Sequence, residues 1–227
     1  MRTSDYLGKI TPDNAAVLFI DYQTQLILSC QSATPHETTN NTLALAYIAK
    51  MYELPVVITT TGGGAKSPAG GTMSELTKEF PDVETIDRQQ YLNSMQDPKF
   101  NEAVKATGRK KLIMGGITTD LCVVFPAITA VAEGYDVYVI ADACAAWTKE
   151  IHQISLDRLT QAGVIVTNVQ ALCAELQTNL TELDAERAKT KQKDIFNFYG
   201  TFVGPLTVAY DNFFSRPENK QMLESFK

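Results

Sequence analysis

KLIMGGITTDLCVVFPAITAVAEGYDVYVIAD, residues 111–142, is the stretch from which the fold can be read. It opens on the apolar run Lys111–Gly116, passes through Ile117-Thr118-Thr119-Asp120, and continues as an apolar segment with helical spacing that stops at Gly134. DVYVIAD, Asp136–Asp142, follows at once. Short apolar runs without polar alternation suit strands buried on both faces, as in a parallel sheet. Strand, helix, glycine and strand in that order make a right-handed βαβ crossover. The same ending recurs on either side. Asp97-Pro98 offers a helix N-cap with proline at the first helical position, and Gly108 closes that segment; Gly163 closes the segment before Val164–Val169. Upstream, Ala15–Asp21 (AAVLFID) and Pro55–Thr61 (PVVITTT) are further strands, with a weaker one at Glu84–Arg88. The sequence thus predicts a doubly wound, Rossmann-like α/β sheet of about six parallel strands. The predicted order is 3-2-1-4-5-6, with helices on both faces.

Composition narrows the function. The 227 residues are 44% apolar and 20% charged, with 26 Asp plus Glu against 20 Lys plus Arg, a net charge of -6. That fits one globular domain with an appendage. The acidic balance argues against a nucleic-acid binder, which needs a basic face to displace counterions. The longest nearly uninterrupted apolar run, Leu121–Ala132, is shorter than the roughly 18 to 20 residues a bilayer requires. The first nine residues carry no apolar core of the signal-peptide kind, so the chain reads as soluble and cytoplasmic. The four cysteines, Cys30, Cys122, Cys144 and Cys173, form no C-x-x-C pair, and the chain has only two histidines, His36 and His152. A zinc site needs about four such ligands at short spacings, so no metal and no cofactor is expected.

In open α/β sheets ligands bind beyond the carboxyl ends of the strands, where the strand order reverses. Two reactive side chains fall there: Asp21 ends the first strand, and Cys122 sits in the first turn of the helix after the fourth. A cysteine at a helix start feels unpaired N–H groups and the positive end of the dipole, both of which favour thiolate. Pro126 has no N–H for the Cys122 carbonyl four residues back, so the helix should be irregular there. The structural alternatives are a small buried thiol and a turn-forming carboxylate.

AAVLFIDYQ around Asp21, LPVVITTT, IDRQQYLNSMQDPKF with Arg88, KLIMGGITTDLCVVFPA around Cys122 and EGYDVYVIADACAAW together resemble the isochorismatase-like cysteine hydrolases, especially their YcaC-like branch. The resemblance covers residues 10 to 180. It implies a catalytic triad of Asp21, Arg88 and Cys122, with arginine where many amidohydrolases of the superfamily carry lysine. It implies a cis peptide between Ile117 and Thr118, and an oxyanion hole from the backbone N–H groups of Thr118 and Cys122. The activity implied is hydrolysis of a small carboxamide or related C–N bond through a thioester. The metal-binding histidines of nicotinamidases have no counterpart in TGGGAKSPAGG, and Cys122 argues against the vinyl-ether cleavage of true isochorismatases, which lack the nucleophilic cysteine. Relatives on this branch are homo-oligomers, with an octamer of two tetrameric rings as one form.

Gly62–Ser67 lacks the glycine directly before lysine that a phosphate loop requires, and reads as a loop at the pocket mouth. Gln23 and Trp147 stand as pocket candidates, Cys144 as a small wall residue and His152 as a polar helix-face residue away from the strand ends. The sequence divides into a hydrolase domain, 1–180, and a C-terminal extension, 181–227. In the extension, the charged stretch Glu182–Asp194 precedes eight of the chain's 20 aromatics. So many aromatics need a surface, and a neighbouring subunit would supply one. Two other readings stay open: thiol redox chemistry at Cys122, with Cys144 as its partner, and an oligomeric scaffold without turnover.

Overall fold

The computed structural model describes residues 9–177 and 185–219. It falls into two compact units, Met1–Leu172 and Cys173–Lys227. The expected boundary at 180/181, the start of the charged stretch and Phe226 lie outside the described residues.

The first unit is built on six strands: β1 (Ala15–Ile20), β2 (Val56–Thr60), β3 (Thr85–Asp87), β4 (Lys111–Gly116), β5 (Asp136–Ile140) and β6 (Ile165–Thr167). They form one sheet in the order β3-β2-β1-β4-β5-β6, with every pair parallel. β1 and β4 are buried along their whole length, as an apolar run in the middle of a doubly covered sheet must be. Each such Val, Leu, Ile or Phe side chain contributes about 1.5–3 kcal/mol by leaving water. The crossovers carry α1 (Thr24–Ser29), α2 (Pro35–Met51), α3 (Ser74–Glu79), α4 (Pro98–Ala106), α5 (Val124–Ala132) and α6 (Lys149–Gln161). Local chemistry sets their ends. The Thr34 side chain accepts from the Glu37 N–H while Glu37 reaches back to the Thr34 N–H, a capping box at the start of α2. The Asp97 carboxylate caps α4 through the Phe100 N–H, with Pro98 at the first helical position. Gly134, at φ 89°, turns the chain from α5 into β5 in the left-handed region that favours glycine.

The register brings the strand ends together. Ile20 of β1 stands opposite Thr59 of β2 on one side and Gly116 of β4 on the other. β1 and β4 are the strands between which the order reverses, so the crest after Ile20 is the switch point. Close approach there requires small residues. A Cβ on Gly116 would lie 2.6 Å from the Ile20 carbonyl oxygen, and one on Gly115 would collide with the Tyr22 hydroxyl. That hydroxyl is fixed by donating to the Ala143 carbonyl at 2.5 Å.

The second unit is helical, with α7 (Val169–Leu176) crossing the division, then α8 (Ala185–Phe202) and α9 (Gly204–Phe214). Much of the charged stretch is therefore helix. Phe198 is fully buried, with its ring 5.2 Å from Tyr199 and 5.7 Å from Phe202. Val208 and Phe213 remain exposed. Among the described residues no helix is long and apolar enough to cross a membrane.

Candidate active site

Asp21 follows β1 directly and takes φ 57°, a left-handed conformation that aspartate tolerates better than most residues. Its N–H still bonds to the Thr59 carbonyl at 2.9 Å, so the strand pairing holds while the chain turns. The carboxylate is wholly buried. Arg88 follows β3, and its N–H continues the ladder to the Thr60 carbonyl at 2.9 Å. Its guanidinium, also without solvent exposure, lies across the strand ends. Nη2 donates to both Asp21 oxygens at 2.8 and 3.1 Å, Nη1 to the Thr59 hydroxyl at 3.2 Å, and Nε toward the Tyr91 carbonyl at 3.4 Å. The Thr59 hydroxyl donates in turn to the Ile86 carbonyl at 2.7 Å, which leaves its lone pairs facing the arginine. A buried pair of this kind is tolerable only when its remaining hydrogen-bonding positions are satisfied, and here most of them are.

Cys122 completes the cluster from the β4 side. The sequence places it in the first turn of an α-helix. It lies instead in a π turn, Thr119–Val123, and α5 begins only at Val124. The Val123 N–H reaches five residues back to the Thr118 carbonyl at 3.2 Å. Pro126 is part of the cause, because it offers no N–H to the Cys122 carbonyl. The thiol is 5% exposed, hydrogen-bonds the Asp21 carboxylate and receives the Thr118 N–H at its sulfur. The peptide bond between Ile117 and Thr118 is cis.

The electrostatics differ from the thiolate expected of a helix start. Burial first, and then the negative Asp21, push the Cys122 thiol well above the usual cysteine range, outweighing the Thr118 N–H and Arg88. Burial also raises Asp21, to about 6, against the opposing pull of Arg88 and of the thiol hydrogen bond. At neutral pH the resting state is therefore an ionised carboxylate between a guanidinium and a protonated thiol.

The two pocket candidates fare differently. Gln23 is fully buried and its amide is spent on backbone. It accepts from the Thr61 N–H at 2.9 Å and donates to the Thr61 and Gly70 carbonyls at 3.1 and 2.5 Å. It fastens the glycine-rich loop to the end of β1. Trp147 is 38% exposed, two residues beyond Ala145, which bridges to Ile117 beside the π turn. His152 also departs from expectation. Its Nδ1 lies 2.8 Å from the Thr119 hydroxyl, so this half-buried ring touches the turn that carries Cys122. Burial lowers its pKa. It lines a cleft of about 730 Å³ together with Cys30, Ser32, Asn41, Asp142 and Cys144. Thr59 and His152 are the site contacts that sequence reasoning missed. Thr59 carried a signal, as one of the two hydroxyls that end an otherwise apolar strand; His152 is 33 residues from its partner and carried none. Among the described residues no group of three His, Cys, Asp or Glu side chains could hold a metal ion.

A doubly wound parallel sheet with a thiol, a carboxylate and a guanidinium buried at its switch point defines an α/β enzyme class whose reactive groups ride on strand ends. Residues 15–171 match the isochorismatase domain, and the chain belongs to that family of hydrolases. It is similar to the probable hydrolase YcaC of Escherichia coli (strain K12), 37% identical over 168 residues that cover 74% of this chain and 80% of the relative. The E. coli YcaC crystal structure, an octameric hydrolase of unknown specificity, superposes with TM-score 0.80 at 31% identity, covering 90% of this chain and 97% of that one. YcaC from Pseudomonas aeruginosa, solved with hexane-2,5-diol and covalent acrylamide, gives TM-score 0.77 at 33% identity, covering 88% and 98%.

Proposed function

We propose that this hydrolase cleaves a small carboxamide or related C–N bond through a thioester on Cys122. The observation that carries the reading is the buried hydrogen bond between the Cys122 thiol and an Asp21 carboxylate held by Arg88. As the sulfur attacks the carbonyl carbon, the thiol proton passes to Asp21 and the C=O electron pair moves onto oxygen. The Thr118 and Cys122 N–H groups hold that oxyanion; donors of this kind are worth about 3–4 kcal/mol each. Collapse breaks the C–N bond, and the amine leaves with the proton from Asp21. Water, deprotonated by Asp21, then cleaves the thioester and restores the thiol. Arg88 stays protonated throughout, so it orients Asp21 and moves no proton. The carboxyl near pH 6 suits a group that must both accept and return a proton.

The covalent acrylamide on the P. aeruginosa relative supports a nucleophile that takes small amide-bearing electrophiles. The octameric E. coli relative supports a homo-oligomer for this chain. Peptide mapping after brief iodoacetamide treatment near neutral pH tests the nucleophile. We expect Cys122 to carry most of the label, and turnover of a carboxamide panel to be lost in Cys122→Ser. Preferential labelling of Cys30, Cys144 or Cys173 would refute the assignment.

A further inference from the structure

Among the described residues, buried side-chain polar atoms without a hydrogen-bond partner are few, and the Thr118 hydroxyl oxygen is one of them. Thr118 is 2% exposed, so water does not serve it freely. A buried hydroxyl left unpaired costs stability, and a native protein that keeps one needs a reason for it. Valine has nearly the same shape without that cost. The hydroxyls of Thr38, Thr72 and Ser94 share this condition. Thr118 is set apart by its backbone, because its own N–H points at the Cys122 sulfur. In two of the three staggered rotamers a threonine hydroxyl is gauche to its own backbone nitrogen, so an acceptor of the N–H comes within reach of the O–H.

We propose that the Thr118 hydroxyl is a catalytic residue, a third donor to the oxygen that gains charge when a carbonyl compound adds to Cys122. This rests on the thioester reading above and extends it from backbone donors to a side chain. Within the chain the hydroxyl is unpaired. When the sulfur–carbon bond forms and the C=O π pair moves onto oxygen, it donates to that oxygen, so its interaction exists mainly in the tetrahedral species. Such an interaction accelerates the reaction without tightening ground-state binding.

A small aldehyde reports on this step without turnover. Propanal adds reversibly to a thiol: the S–C bond forms, the π bond breaks and the thiol proton ends on the former carbonyl oxygen. Iodoacetamide alkylates the same sulfur without placing charge on a carbonyl oxygen there. The experiment measures how well propanal protects Cys122 from iodoacetamide in the full-length wild type and in the Thr118→Val and Thr118→Ser variants. In Thr118→Val we expect protection to need about ten-fold or more propanal, while the alkylation rate without aldehyde stays within about three-fold. Thr118→Ser should restore protection to near wild type. Thermal unfolding of Thr118→Val should occur at an unchanged or higher temperature, because the hydroxyl it loses has no partner in the folded chain. Equal protection in wild type and Thr118→Val, no protection in wild type, or a clear fall in the melting temperature of Thr118→Val would overturn the proposal. Failure of iodoacetamide to label Cys122 in wild type would instead defeat the thioester reading itself.

Discussion

At Asp21 two forces of opposite sign meet, and burial is the larger: the carboxyl titrates at about 6 despite an arginine 2.8 Å away. A consequence follows for thiol reactivity. Below that pH Asp21 carries a proton and cannot take another from Cys122; above it the base is available. The second-order rate of Cys122 alkylation should therefore rise through about pH 6, well above the range of an exposed aspartate. In Asp21→Asn that inflection should vanish, with the rate at pH 7 about a hundred-fold lower. Arg88→Ala removes the group that pulls Asp21 down, so the inflection should move above 6. It also leaves a buried carboxylate without its partner, and urea unfolding at pH 7 should show a loss of roughly 3 kcal/mol. Arg88→Lys keeps the charge without the fork to Thr59 and Tyr91, and should fall between the two. An unchanged profile in both Arg88 variants would remove Arg88 from the proposed reaction. Little of this balance was legible in the sequence. Asp21 and Cys122 announced themselves as reactive groups at strand ends. Arg88, one residue past the weakest strand and 67 positions from Asp21, was legible only through the family resemblance. Which force prevails on a buried carboxyl depends on packing that no local pattern encodes.

Among the elements, the strand order followed from segments that each announce their own end: Gly108, Gly134 and Gly163 close three successive helices just before β4, β5 and β6. The π turn was legible only in part. Pro126 signalled irregularity, but its form depends on how Thr118, Thr119 and Ala145 pair, the Thr119 N–H being held by the Ala145 carbonyl at 2.9 Å. The role of Gln23 was not legible at all, because an amide spent on a distant loop looks in sequence like one free for a ligand. The close packing at the β4 end carries its own test. In Gly115→Ala the new methyl meets the Tyr22 hydroxyl, which is tied to Ala143. Overpacking of this kind should cost about 1–3 kcal/mol in urea unfolding. Adding Tyr22→Phe, which deletes the colliding oxygen, should recover part of the loss; no recovery would show that the strain lies elsewhere.

For the whole molecule, the family match ends at residue 171, close to where the second compact unit begins. That unit exposes Val208 and Phe213 while burying Phe198. We expect it to strengthen a homo-oligomer: light scattering on a chain ending at residue 180 should give fewer subunits per particle or a poorly soluble species, and a soluble truncation with the full-length oligomeric state would contradict this role. The first unit carries a liability of another sort. Arg88, which braces Asp21, is anchored to β3, a strand of three residues at the edge of the sheet. Edge strands open locally at far lower free energy than central ones. We expect fraying at this margin to part the ion pair before the buried centre of β1 and β4 yields, so that on the proposed mechanism a warmed sample would fall silent while most of its architecture is still standing.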